Sequence, residues 1–87
     1  MRLIGKFCFR EILGETVAVP IDESLQRFSG IISVNDVGQF LMEQLETEQS
    51  LDSLCTALTE EYEVDTATAK KDVADFLALL EENELLR

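Results

Sequence analysis

The apolar residues of this chain change their period within residues 28–35, FSGIISVN. Before this segment they come in short extended runs separated by Gly and Pro, and after it they recur every three or four residues. We therefore predict a strand over residues 31–34 that leads directly into a helix, with Asn35 as the helix N-cap. What surface the strand offers depends on whether it has a neighbour on both sides.

The first third of the chain is typical of a β-hairpin. Residues 6–12 alternate between two faces, with Phe7 and Phe9 on one face and Cys8 and Arg10 on the other. A Leu-Gly pair follows, and residues 15–20 are rich in β-branched side chains. Because proline has no N–H for a strand ladder, we predict that Pro20 ends the second strand.

Three helix-capping residues divide the rest of the chain: Asn35, Ser50 and Asp65. The inward positions of the second helix are predicted to be Leu51, Leu54, Cys55, Leu58 and Tyr62. Gly38 weakens the first helix by about 1 kcal/mol relative to Ala, which indicates either a close backbone approach or simple tolerance. The predicted fold is a single α+β domain over residues 1–87, with a three-stranded antiparallel sheet followed by three helices.

The third helix, predicted from residue 66 to about residue 83, carries one leucine outside its core stripe. That stripe comprises Ala69, Val73, Phe76, Leu77 and Leu80. At 100° per residue, Leu79 lies about 100° from the centre of the stripe, on the line of Asp72, and Phe76 lies between the two faces. Leu79 is either an isolated exposed leucine or part of a narrow apolar strip that borders a groove.

Charge and composition exclude several classes of function. The net charge is −11, and residues 28–69 contain nine acidic side chains and no basic one. Such a surface repels phosphate backbones, so we expect no nucleic-acid binding. The chain has no secretory h-region and no apolar stretch of transmembrane length, which predicts a cytoplasmic protein without membrane contact and with Cys8 and Cys55 as buried thiols.

Catalysis is not expected, because the chain contains no His that could act as a general base for either cysteine. No metal site or cofactor site is predicted. One alternative is an acyl or peptidyl carrier protein, since Asp52, Ser53 and Leu54 form the tripeptide at which such proteins accept a phosphopantetheine arm. The strand-like first third argues against this alternative. The second alternative is a structural dimerisation domain without a peptide ligand.

The ordered pattern resembles the PqqD-like family of RiPP (ribosomally synthesised and post-translationally modified peptide) recognition elements, which are small winged-helix domains. Residues 9–20 are similar to the opening hairpin of the family, and residues 60–65, 72–73 and 83–86 are similar to its last helix. The strand-to-helix signature is carried by Phe28, Gly30, Ile32, Val34, Asn35 and Gly38. The sequence departs from the family in having Val34 for Leu, no Trp in the first helix, and Glu84 where Gly is common. Because a Glu in a left-handed cap costs about 1 kcal/mol, we expect the exit from the last helix to differ.

The resemblance implies a winged helix-turn-helix-like fold and a non-catalytic binding module. We expect the protein to be monomeric or weakly dimeric. Family members capture the leader of a ribosomally made precursor peptide and present it to a modifying enzyme, often a radical SAM enzyme. The leader adds as an antiparallel strand to the third strand and packs against the third helix. The implied peptide-binding residues are Ile31, Ile32, Ser33, Val34, Asp72, Phe76 and Leu79. Asp72 would accept a leader hydroxyl, amide or basic group, and Phe76 and Leu79 would meet apolar anchors.

Overall fold

Three antiparallel strands form one sheet in the order β1-β2-β3 in the computed structural model, which describes residues 1–21 and 31–87. The strands are β1 (Lys6–Ile12), β2 (Glu15–Ile21) and β3 (Ile32–Val34). Phe28 and Gly30, which carry part of the strand-to-helix signature, lie outside the described residues. The predicted order of three strands and then three helices is confirmed.

The β1–β2 hairpin closes through a tight turn at Leu13 and Gly14, between the paired residues Ile12 and Glu15. Both turn residues have positive φ, 53° at Leu13 and 83° at Gly14. Two positive φ values are characteristic of a type I′ turn, whose twist matches that of the flanking strands. Leu13 is 100% exposed at the tip, so no packing contact offsets its left-handed backbone.

The prediction that Pro20 ends the second strand is wrong. β2 continues through Pro20 and Ile21, which pair with Phe7 and Lys6 of β1. The pairing of β3 along β2 stops at Ala18, so at Pro20 the described sheet has only one neighbour beside β2. A missing N–H is tolerated where a strand is paired on one side only.

The helices begin at the predicted caps. They are α1 (Asp36–Gln44), α2 (Leu51–Glu61) and α3 (Thr66–Glu82). The side chains of Asn35, Ser50 and Asp65 each accept a hydrogen bond from a backbone N–H of the first turn. Within the described ranges, no helix combines the length and the apolar character that crossing a bilayer requires.

The core lies between the sheet and the helices. Its largest fully buried side chains are Leu41, Met42, Leu45, Leu54, Leu58, Val73, Leu80 and Leu85. Two predictions of burial are wrong: Leu51 is exposed because it starts the first turn of α2, and Cys8 is only half-buried on the outward face of β1. Leu3 and Leu85 are core residues that periodicity did not indicate.

The end of α3 forms a Schellman motif. The Leu85 N–H donates to the Leu80 carbonyl at 2.9 Å, and the Glu84 N–H donates to the Glu81 carbonyl at 3.0 Å. Glu84 occupies the left-handed position with φ 56°. The expectation that the helix exit differs here is therefore wrong. The buried contact of Leu80 with Leu85 and the Leu3–Leu86 bridge hold the chain in this turn.

Glu84→Gly is expected to stabilise the fold by about 0.5–1 kcal/mol, because glycine adopts the left-handed cap without a Cβ clash. Urea unfolding monitored by circular dichroism measures the change. The matched control is Glu82→Gly, which places glycine at the last helical residue and is expected to destabilise the fold by a similar amount. A lower unfolding free energy for Glu84→Gly than for the parent would contradict the assignment of backbone strain.

Candidate functional site

The third strand lies at the edge of the sheet. β3 pairs with β2 through Val34–Thr16, Ser33–Val17 and Ile32–Ala18, and no described residue pairs with its other side. The alternative of a central strand paired on both sides is therefore excluded for residues 1–21 and 31–87. Main-chain groups on a free edge are open to another strand.

Side chains of the edge segment point in alternate directions. Ile32 is buried in the core, so only its main chain is available at the edge, whereas Ser33 is exposed. Ile31 precedes the strand and is 55% exposed, and Val34 is half-buried against the core. The edge therefore offers an exposed apolar residue, a hydroxyl and a partly covered valine.

Gly38 brings β3, α1 and α3 into contact. A Cβ at this position would lie 3.1 Å from Cε1 of Phe76 and 3.2 Å from Cβ of Val34. The Asn35 side chain accepts from the Gly38 N–H at 2.8 Å, which fixes the first turn of α1. Of the two explanations for Gly38, close backbone approach is therefore the correct one. Phe76 and Val34, far apart in sequence, meet over this glycine.

Two adjoining pockets run from β3 across the start of α1 to α3, and together we call them the β3–α3 groove. The first, of about 620 Å³, is lined by Gly14, Glu15, Thr16, Ser33, Val34, Asn35, Asp36, Val37 and Tyr62. The second, of about 190 Å³, is lined by Asn35, Val37, Gly38, Leu41, Asp72, Asp75 and Phe76. The two pockets are neighbours, because Asn35 and Val37 line both of them.

The groove contains four of the seven predicted peptide-binding side chains. Ser33 and Val34 line its first pocket, and Asp72 and Phe76 line its second. Leu79 lies one turn beyond Phe76 on α3 and is 37% exposed, yet it lines neither pocket. Leu79, Ile31 and the main chain of Ile32 therefore lie outside the groove that the two pockets define.

Tyr62 is a lining residue that the sequence identified only as an inward position. Its ring meets that of Phe40 edge to face, with centroids 5.7 Å apart. Its hydroxyl donates to the Asp36 carbonyl at 3.4 Å. Tyr62 thus joins the end of α2 to the start of α1 and closes one side of the first pocket.

Among the described residues, the charged side chains that line the groove are all acidic: Glu15, Asp36, Asp72 and Asp75. Asp75 is engaged by Lys71 at 3.0 Å, and this hydrogen bond raises the pKa of Lys71. Asp72 belongs to none of the ion pairs found among the described residues. Asp72 is therefore the carboxylate beside Phe76 that has no ion-pair partner among the described residues, and its charge contributes, less than Asp75, to the raised pKa of Lys71.

Ser53, the residue on which the carrier-protein alternative depends, has a structural role. Its hydroxyl accepts from the Ser50 N–H at 2.8 Å and donates to the Gln49 side chain at 2.7 Å. In return the Ser50 hydroxyl accepts from the Ser53 N–H at 3.0 Å, which completes a capping box at the start of α2. This capping box accounts for the serine of the Asp52-Ser53-Leu54 tripeptide.

Gly38→Ala is expected to destabilise the fold by about 1 kcal/mol. Alanine gains about 1 kcal/mol in helix propensity, but the added methyl group clashes with the Cβ of Val34, which cannot move without β3. Chemical denaturation measures the difference. Glu43→Ala on the exposed side of α1 is the control and is expected to change stability by less than about 0.5 kcal/mol. Equal stability of Gly38→Ala and the parent would contradict the close contact.

The cap of α3 makes stability depend on pH. The Thr68 N–H donates to the Asp65 carboxylate at 2.7 Å, which holds the pKa of this carboxyl below its usual value. Because the folded-state pKa is the lower one, the stabilisation is present above the unfolded pKa of about 4 and is lost as pH falls through the folded pKa. Asp65→Asn keeps a capping oxygen without a titrating group, so its thermal stability should fall less on acidification. Parallel stability profiles of the two proteins would contradict this.

Known proteins resemble the chain both in sequence and in fold. A search of curated proteins gives no match. A solved structure described as TbiB1 in complex with the TbiA(beta) leader peptide matches with a TM-score of 0.71 and 25% identity, covering 100% of this chain and 95% of that one. The model of the family "Coenzyme PQQ synthesis protein D (PqqD)" matches residues 15–86. Because that match spans most of the chain, the predicted family is confirmed: this protein belongs to the PqqD family.

Proposed function

We propose that this protein captures the leader of a ribosomally synthesised precursor peptide by strand addition to β3. The observation that carries the proposal is the edge position of β3 beside an open groove that leads to α3. The similarity to TbiB1, whose structure contains a leader peptide, supports the same use of the fold. Main-chain hydrogen bonds supply affinity in this mode, and side-chain pockets supply selectivity.

The seven predicted peptide-binding residues supply main-chain, apolar and polar contacts in this proposal. The main chain of Ile31, Ile32, Ser33 and Val34 forms the edge against which the leader pairs. Phe76 and Val34 form an apolar floor over Gly38, and the exposed side chains of Ile31 and Leu79 extend the apolar surface beyond the groove. Asp72 supplies a polar contact beside Phe76.

The proposal includes a modifying enzyme as the second partner. A leader bound along β3 leaves the rest of the precursor free, so that it can be presented to an enzyme, which we propose is a radical SAM enzyme. The chain itself would act as one non-catalytic recognition module, monomeric or weakly dimeric. Because precursors are made on ribosomes, we propose that capture takes place in the cytoplasm.

Exposed leucines provide a matched test of the apolar wall. Leu79 on α3 and Leu51 on α2 are 37% and 38% exposed, so truncating either should cost little stability. Leu79→Ala is expected to weaken leader binding by roughly tenfold, since an anchor loses its apolar contact, whereas Leu51→Ala should leave affinity unchanged.

The ligand for this test is the synthetic leader of a candidate precursor, which is to be sought among short reading frames near the gene for this chain, and fluorescence anisotropy gives the dissociation constants. Amide NMR of the same titration gives the location. Saturating peptide should shift the signals of residues 31–34. If it shifts other surfaces and leaves these residues and Leu79 unchanged, strand addition to β3 is wrong. Equal losses for the two leucine variants would contradict the apolar wall.

A further inference from the structure

Acidic and basic side chains are unevenly distributed among the described pockets of this protein. Within residues 1–21 and 31–87, the β3–α3 groove is lined by four carboxylates and by no basic residue. A separate pocket of about 490 Å³, which shares no lining residue with the groove, is lined by Arg2, Lys6 and Arg87 together with Glu46. Acidic side chains are not confined to the groove, but the basic side chains of this separate pocket lie apart from it.

One of the four carboxylates is placed to select a ligand side chain. Asp75 is engaged by Lys71, and Glu15 and Asp36 line the wider first pocket. Asp72 shares the narrow second pocket with the half-buried ring of Phe76 and takes part in no ion pair among the described residues. An apolar ring and a carboxylate without an ion-pair partner among the described residues, together in one small pocket, fit a side chain with an aliphatic stem and a cationic end.

We infer that the peptide recognised by this protein carries a Lys or Arg that contacts the carboxylate of Asp72, with its aliphatic stem over Phe76. This inference rests on the proposed strand addition to β3 and adds the chemical class of the ligand to it. Acidic leaders are repelled by the groove, because like charges across an interface oppose binding. Asp72 is thus the residue that determines specificity for a cationic leader.

Selection from a randomised peptide library displayed on phage supplies the probe without knowledge of the natural leader. Peptides that bind the full chain and shift the amide signals of residues 31–34 are sequenced and synthesised. Lys or Arg should be enriched at one position of these peptides. Each is then made a second time with that residue replaced by norleucine, which keeps the aliphatic stem and removes the charge.

The decisive measurement is the coupling between the peptide cation and Asp72. Asp72→Asn should raise the dissociation constant of the cationic peptide by roughly three- to tenfold and leave that of the norleucine peptide unchanged. Glu81→Gln removes one charge from an exposed position of α3 outside the groove and should change neither affinity by more than roughly twofold. Higher ionic strength should reduce the difference between the two peptides.

Other outcomes overturn the inference and remain distinguishable. If selected peptides shift residues 31–34 but show no cationic preference, or if Asp72→Asn affects both peptides equally, the cation contact is wrong and strand addition stands. If no selected peptide shifts these residues, strand addition and the cation contact are both wrong.

Discussion

The edge of β3 that pairs with no described residue is the constraint on which the proposed site depends. Backbone N–H and C=O groups need partners, and β2 satisfies only one side of this strand. A free edge is usually blunted by being short, and β3 has only three residues. The exposed Ser33 and the acidic groove beside it further discourage pairing with an arbitrary apolar strand. The edge can therefore remain open in the free protein and still accept a peptide that supplies complementary side chains.

Local chemistry made most of the fold predictable from the sequence. Asn35, Ser50 and Asp65 each start a helix as predicted, because capping depends on a side chain and the N–H groups of its own first turn. The errors arise where distant residues decide the outcome. Pro20 stays in β2 because β3 reaches only Ala18, and Glu84 adopts a left-handed backbone because buried leucines hold the Schellman turn.

The candidate site was predictable only in part. Helical periodicity placed Leu79 off the core stripe of α3, and family resemblance pointed to the third strand and to Asp72 and Phe76. The meeting of Phe76 and Val34 over Gly38 links three elements, and no spacing along the chain indicates it. Likewise, only the structure shows that Lys71 pairs with Asp75 and that Asp72 has no ion-pair partner among the described residues. Proximity of this kind is a property of the packed structure.

Backbone N-methylation of the bound peptide tests strand addition to β3 most directly, because it removes single hydrogen-bond donors without changing the protein. In an antiparallel pair, the N–H groups of alternate residues point to the same neighbour. If the leader pairs with β3, N-methyl groups placed one at a time along it should weaken its affinity at every second residue and be tolerated at the residues between. Loss without alternation, or uniform tolerance, would contradict strand addition to β3.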